Sequence, residues 1–200
     1  EPDKLYRGHI HSVLFLPFIA LFKRRLDLLE LEAGIDYRMA RFAGLPLYYI
    51  PPGPEAKAKL DAAFAQLTDD AAPKPETLTV QGRTVAIPAQ AKGVARMSFA
   101  ELCEVPLGPA DYLAIAARYH SLVLDAVPQI PDGQHNIARR FITLIDALYE
   151  AKVKLFCSAA VPPAELYPSG QGSDDFTRTV SRLMEMQSRE YLALGHRPGS

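Results

Sequence analysis

Leu122-Val123-Leu124-Asp125 and Val153-Lys154-Leu155-Phe156-Cys157-Ser158 are two short apolar runs, each closed by a polar residue. Between them Ile137, Phe141, Leu144, Ile145 and Leu148 recur at the spacing of one helical face. A strand, a helix and a second strand, with both strands mostly apolar, predict parallel pairing in a sheet covered on its faces. Working outward, 94–103 reads as a strand and 109–120 as a helix with Tyr112, Leu113, Ala116 and Tyr119 on one side. Ser173 stands where a helix cap belongs, with Asp174 and Asp175 in the first turn of a final long helix and Gly195 after its end. The alternation predicts an α/β fold: a mostly parallel sheet with flanking helices.

The region 44–93 differs in character. Seven prolines, from Pro46 to Pro88, punctuate an alanine-rich helix over 55–67. Thr77-Leu78-Thr79-Val80 and Thr84-Val85-Ala86-Ile87 flank Gln81-Gly82-Arg83 and predict a β-hairpin. Upstream, Pro17 suits the first turn of a helix, and 26–32 alternates like a strand that Gly34 ends. The expected organisation is a helix–strand unit (1–43), a Pro-rich insertion with helix and hairpin (44–93), a C-terminal α/β portion (94–196) and a tail (197–200).

At 200 residues the chain can bury a core without metal or disulfide support. Lys and Arg number 22 against 23 Asp and Glu, so no overall basic footprint points to nucleic acid. The two cysteines, Cys103 and Cys157, make no metal knuckle and suit a reducing compartment. The run 13–22 is too short to cross a bilayer, which takes about 20 apolar residues. Glu1-Pro2-Asp3 leads at once into a core-type segment, the pattern of a chain that starts in mid-domain.

In open α/β sheets ligands bind beyond the carboxyl ends of the strands. Asp125 and Ser158 end neighbouring predicted strands, the placement of a metal-binding acid and a phosphate sensor; a turn-starting Asp is the plainer alternative. No G-x-x-x-x-G-K-[ST] string occurs to cradle phosphate. The nearest echo, Pro106-Leu107-Gly108-Pro109-Ala110-Asp111-Tyr112, lacks Lys and offers an acid where phosphate would sit. Arg178, Arg182 and Arg189 form one stripe on the last helix, and Arg139-Arg140 begin another. Each set reads either as a solvated surface or as a receiver of phosphate or of a neighbour's carboxylates. The five histidines lack ligand spacing, and Ser158, His120 and Asp125 lack the G-x-S-x-G elbow of a hydrolase.

Several blocks carry a family likeness. They are Leu5-Tyr6-Arg7, Leu14-Phe15-Leu16-Pro17-Phe18-Ile19, Asp36-Tyr37-Arg38, Ala138-Arg139-Arg140-Phe141-Ile142-Thr143-Leu144-Ile145-Asp146 and Lys154-Leu155-Phe156-Cys157-Ser158-Ala159, then the S-R-L-x-E-M-Q-S-x-E-Y-L stretch over 181–192. In this order they resemble the ZapE/Afg-one-like family of AAA+-type P-loop ATPases. The resemblance implies a P-loop NTPase-like fold and an ATP hydrolase acting in cell division or membrane-protein quality control. It implies that Walker A and Walker B lie upstream of the part matched here, so this chain is the C-terminal half. ATP and Mg2+ are then ligands of the intact protein, none is bound by this chain alone, and the chain alone is expected to be inactive. The implied partners are the N-terminal ATPase half, further copies, and a cell-division or membrane-associated protein, with no nucleic acid. The implied location is the cytoplasm or the periphery of the inner membrane. Arg182, Arg178, Arg140 and Asp125 are the candidates for sensing nucleotide, Arg182 foremost because it lies in the most specific block. Ser12 stands where the family carries Arg, so no arginine finger transfers there. The rival expectation is a non-catalytic interaction module that binds a partner through 44–93 and the final helix.

Overall fold

The computed structural model describes residue 42 and residues 45–197. The chain divides into a unit over Glu1–Tyr37 and a second over Arg38–Ser200, to which all the described residues belong. The expected helix after Pro17, the strand over 26–32 and the Ser12 departure lie outside the described residues.

The described residues form one six-stranded sheet. Its strands are β1 (Tyr48–Tyr49), β2 (Lys74–Val80), β3 (Arg83–Ala91), β4 (Val94–Ser98), β5 (Ser121–Val127) and β6 (Lys154–Ala159). In space they run β1-β6-β5-β4-β3-β2, with β1, β6, β5 and β4 parallel and the β2–β3 hairpin added antiparallel to β4. The α/β expectation holds. So does the hairpin, whose turn residues Gln81 and Gly82 both have positive φ (48° and 79°), as a type I′ turn demands. Because β3 pairs with β4, the hairpin of 44–93 continues the sheet of 94–196.

Central strands buried on both faces are mostly apolar on both; every residue of β6 is buried, and its polar members Lys154 and Ser158 are hydrogen-bonded. On one face lies α1 (Pro54–Thr68), with Pro54 at its first turn, burying Leu60, Ala63, Phe64 and Leu67 against Val94, Val123 and Phe156. The opposite face carries α2 (Pro109–Arg118), α3 (His135–Glu150) and α4 (Ser173–Glu185). Their Tyr112, Ile115, Phe141, Leu144 and Phe176 pack with Leu122, Leu124, Leu155 and Cys157. The connections β4-α2-β5 and β5-α3-β6 join adjacent parallel strands in sequence, and same-handed crossovers place both helices on one side.

Four local expectations are corrected. The strand expected over 94–103 ends at Ser98, and a π-helix follows at Ala100–Glu104. Ser98 and Glu101 explain the switch. The Ser98 amide and hydroxyl donate to the Glu101 carboxylate (2.7 and 2.8 Å), and the Glu101 amide returns a bond to Ser98 Oγ (3.3 Å), a capping box that turns the chain. Leu113 is 57% exposed, because the buried set 112, 115, 116 and 119 leaves it about 100° round the helix. Gly172, in the left-handed region at φ 87°, is the cap residue of α4, and Ser173 is already helical with no capping bond.

The expected single long final helix is two. α4 stops at Glu185, and Ser188 adopts an extended conformation (φ −75°, ψ 153°) and accepts from the Tyr191 amide at 3.1 Å to start α5 (Arg189–Ala193). A serine that can cap competes with helix continuation. The break lets Met186, Tyr191 and Leu192 all be buried, and the Lys154 ammonium donates to the Tyr191 and Leu194 carbonyls, both at 2.9 Å. Arg189 therefore leaves the stripe of Arg178 and Arg182.

Candidate functional site

The carboxyl ends of β4, β5 and β6 bring Ser98, Asp125 and Ser158 to one edge; Ser98 stands directly opposite Asp125 in register. Asp125 and Ser158 alternate with residues of the α3 side and so share the α1 side of the sheet. Each already has a partner. The Asp125 carboxylate accepts two bonds from Arg96, from Nε at 2.8 Å and Nη2 at 3.1 Å, and Arg96 also bonds Asp61 of α1. The Ser158 hydroxyl accepts from the Ala126 amide at 2.9 Å, beside a break in strand register where Ala126 holds φ 59°.

Burial works against the charged form of Asp61, yet bonds from Arg96 and Lys57 prevail and hold its carboxyl below the usual range. The same pairing outweighs burial in keeping the Arg96 guanidinium protonated. A cation of the chain thus occupies the position a metal would take at Asp125. Arg96 and Asp61 were not anticipated from the sequence. The available signal was a charge inside a strand that is otherwise apolar, since a guanidinium that is 17% exposed needs an acid.

The loop before α2, the nearest echo of a phosphate cradle, is filled in the same way. Asp111 is 1% exposed, accepts from the Gly108 amide at 2.8 Å and pairs with Arg83 at 3.0 Å. Pro109 removes a further donor from that first turn. No group of three or more His, Cys, Asp or Glu side chains fit for a metal occurs among the described residues. These residues do not fit ATP with Mg2+: the acid at the strand end is neutralised and the helix N-terminus already holds a carboxylate.

The arginines separate into two places. Arg178 (3.2 Å) and Arg182 both bond Asp146 of α3; Arg182 also bonds Glu150 at 3.0 Å and lies over the Tyr149 ring at 4.8 Å. Both hold α4 on α3. Arg140 donates from Nη1 to the Cys103 carbonyl at 2.6 Å, at the end of the π-helix. The structure thus brings Arg178 and Arg182 together, and leaves Arg140 and Asp125 on different elements with different partners.

The fold and this edge define an α/β protein of P-loop NTPase-like architecture whose described residues form no phosphate cradle. The family model of the AFG1-like ATPases matches residues 1–194. The chain belongs to that family. It is 35% identical to the cell division protein ZapE of Escherichia coli strain K12 over 99% of its length and 53% of that protein. It is 34% identical to lactation elevated protein 1 homolog B of Danio rerio, over its whole length and 46% of that protein. An uncharacterised protein of Schizosaccharomyces pombe is 31% identical over 96% of this chain and 49% of its own length. The chain spans about half the length of these relatives. No solved structure matches it. No helix among the described residues is long and apolar enough to cross a membrane.

Proposed function

We propose that this sequence is the C-terminal part of an AAA+-type ATP hydrolase of the AFG1-like family, in which other residues of the full-length protein hold ATP and Mg2+. The observation that carries the reading is the family match over residues 1–194 of a sequence with no G-x-x-x-x-G-K-[ST] string. The acid-filled turn at Gly108 supports it. By analogy with the bacterial relative named for cell division, the intact protein acts in division; the family resemblance further suggests a homo-oligomer, in the cytoplasm or at the inner-membrane periphery, that works on a protein partner. Arg178 and Arg182 then hold α4 against α3, a role their shared partner Asp146 supports. Nucleotide sensing by Arg182, Arg178, Arg140 or Asp125 would act beyond the bonds described above.

The experiment compares ATP turnover by the full-length protein with calorimetric ATP titration of the 200-residue chain. Turnover by the former and no saturable heat with the latter is the expected result. Micromolar ATP binding by the chain alone would overturn the division of labour, because a ligand of the folded state must also raise its melting temperature.

A further inference from the structure

Arg140 is half-buried, and its one bond among the described residues is to a neutral carbonyl, that of Cys103. Arg139 beside it is exposed and makes no ion pair among the described residues. A cleft of about 310 Å³ opens in front of both, walled by Leu107, Pro109 and Tyr112 on one side and by Asn136 and Thr143 on the other. Arg139 also borders a neighbouring cleft of about 420 Å³. Among the described residues, the acids nearby form no ion pair with either arginine. Asp146 is taken by Arg178 and Arg182, Asp111 by Arg83, and Asp175 and Glu104 make no ion pair with either arginine. Arg140 is partly desolvated, and an opposing charge would offset that cost, while the exposed Arg139 adds a second positive charge at the mouth of the cleft.

The position favours a ligand. α2 and α3 each follow a parallel strand, so their first turns lie beyond the carboxyl ends, the side of an α/β sheet where ligands dock. The nature of the anion follows from the donors. A phosphate cradle depends on several free backbone amides. Here Pro109 has none and the Gly108 amide is spent on Asp111. A singly charged carboxylate suits the guanidinium fork, and an apolar side chain beside it suits Leu107, Pro109 and Tyr112. We propose that Arg139 and Arg140 form a docking cleft for an acidic peptide segment of a partner protein, a glutamate or aspartate flanked by an apolar residue. The proposal stands apart from the hydrolase reading and needs no nucleotide.

The experiment titrates the 200-residue chain into a fluorescein-labelled peptide of alternating Glu and Leu, read by anisotropy, with a Gln-for-Glu peptide as control. Saturable binding of the Glu peptide alone is expected, weakened at least tenfold by Arg139→Glu and unchanged by Arg189→Glu, an exposed arginine elsewhere. Arg140→Lys keeps the charge but loses the fork, and is expected to weaken binding severalfold with the melting temperature retained. Equal binding by wild type and Arg139→Glu, or no binding of the Glu peptide, overturns the proposal. Inorganic phosphate that displaces the peptide at equal or lower concentration than acetate overturns the choice of carboxylate. None of these outcomes touches the ATP titration, so the two readings fail separately.

Discussion

Replacing Arg182 by Ala tests whether the α3–α4 seam is structural. Its side chain is 19% exposed and spans Asp146 (31% exposed), Glu150 (67% exposed) and the Tyr149 ring. Each solvent-facing ion pair contributes about 0.2–1 kcal/mol, and a cation over a ring at such a site about 0.5–1 kcal/mol. Asp146 keeps Arg178 after the change, which softens the loss. The expected destabilisation is about 1–2 kcal/mol, or a drop of roughly 2–8 °C in melting temperature for a domain of this size. The assay is a thermal melt of wild type and Arg182→Ala by circular dichroism at roughly 0.01 M and roughly 1 M salt. Screening should shrink the difference, since the Debye length falls from about 30 to about 3 Å. The ring contact should leave part of it. In the full-length protein, turnover should stay within about twofold at temperatures where the variant is folded. Unchanged melting together with a tenfold loss of turnover would refute the seam and return Arg182 to nucleotide sensing.

Cys103 and Cys157 are buried, and burial pushes the Cys157 thiol up to about 12 and Cys103 higher still; neither should react with Ellman's reagent until the chain unfolds, so labelling within the mixing time of the native protein would contradict the packing. Gly93→Ala meets two obstacles, a φ of 79° and a new Cβ 2.8 Å from the His120 ring, whereas Gly82→Ala meets only the φ; chemical denaturation should show Gly93→Ala the costlier, by about 1 kcal/mol or more. Glu76 is held below its usual 4.5 by the Tyr119 hydroxyl and then by Arg118, so its contribution is present above pH 4.5 and is lost as pH falls through the lowered value; urea midpoints of Glu76→Gln should lose less on acidification than wild type. At the other extreme, burial raises Tyr48, Tyr112, Tyr119 and Tyr191 above their usual 10, so their neutral forms favour the fold below pH 10 and stability should fall steeply as pH rises beyond it; a flat urea midpoint from pH 9 to 12 would contradict this.

How much of the fold was legible depends on the range of the interaction. Strand, helix and hairpin periods were readable because each depends on residues a few positions apart, as at Ile137 to Leu148 or Gln81-Gly82. The capping box of Ser98 and Glu101 was readable too, since S-x-x-E lies within four residues, but the apolar run through Leu102 and Cys103 masked it. The break at Ser188 was harder. It exists because Tyr191 and Leu192 gain burial against Lys154 and the sheet, which the local pattern does not encode. The candidate site was legible only in its residue types. Asp125 and Ser158 do meet at neighbouring strand ends, but Arg96, 29 positions from Asp125, neutralises the acid and could not be paired with it from spacing alone.

In an α/β sheet of this kind the strand-end acid and the helix N-termini can supply a cation site and an anion site. Here the first is filled by Arg96 and the second, at α2, by Asp111, each held in place by a further residue of the chain, Asp61 and Arg83. Such internal pairs stiffen the edge and leave little field for a triphosphate or its metal. Arg139 and Arg140 break that rule, standing at the same edge without a counter-charge among the described residues. On the docking proposal, an edge whose strand-end acid and α2 N-terminus are neutralised internally offers Arg139 and Arg140, which make no ion pair among the described residues, to a carboxylate. The peptide titration tests that reading and the ATP titration tests the hydrolase reading, each independently of the other.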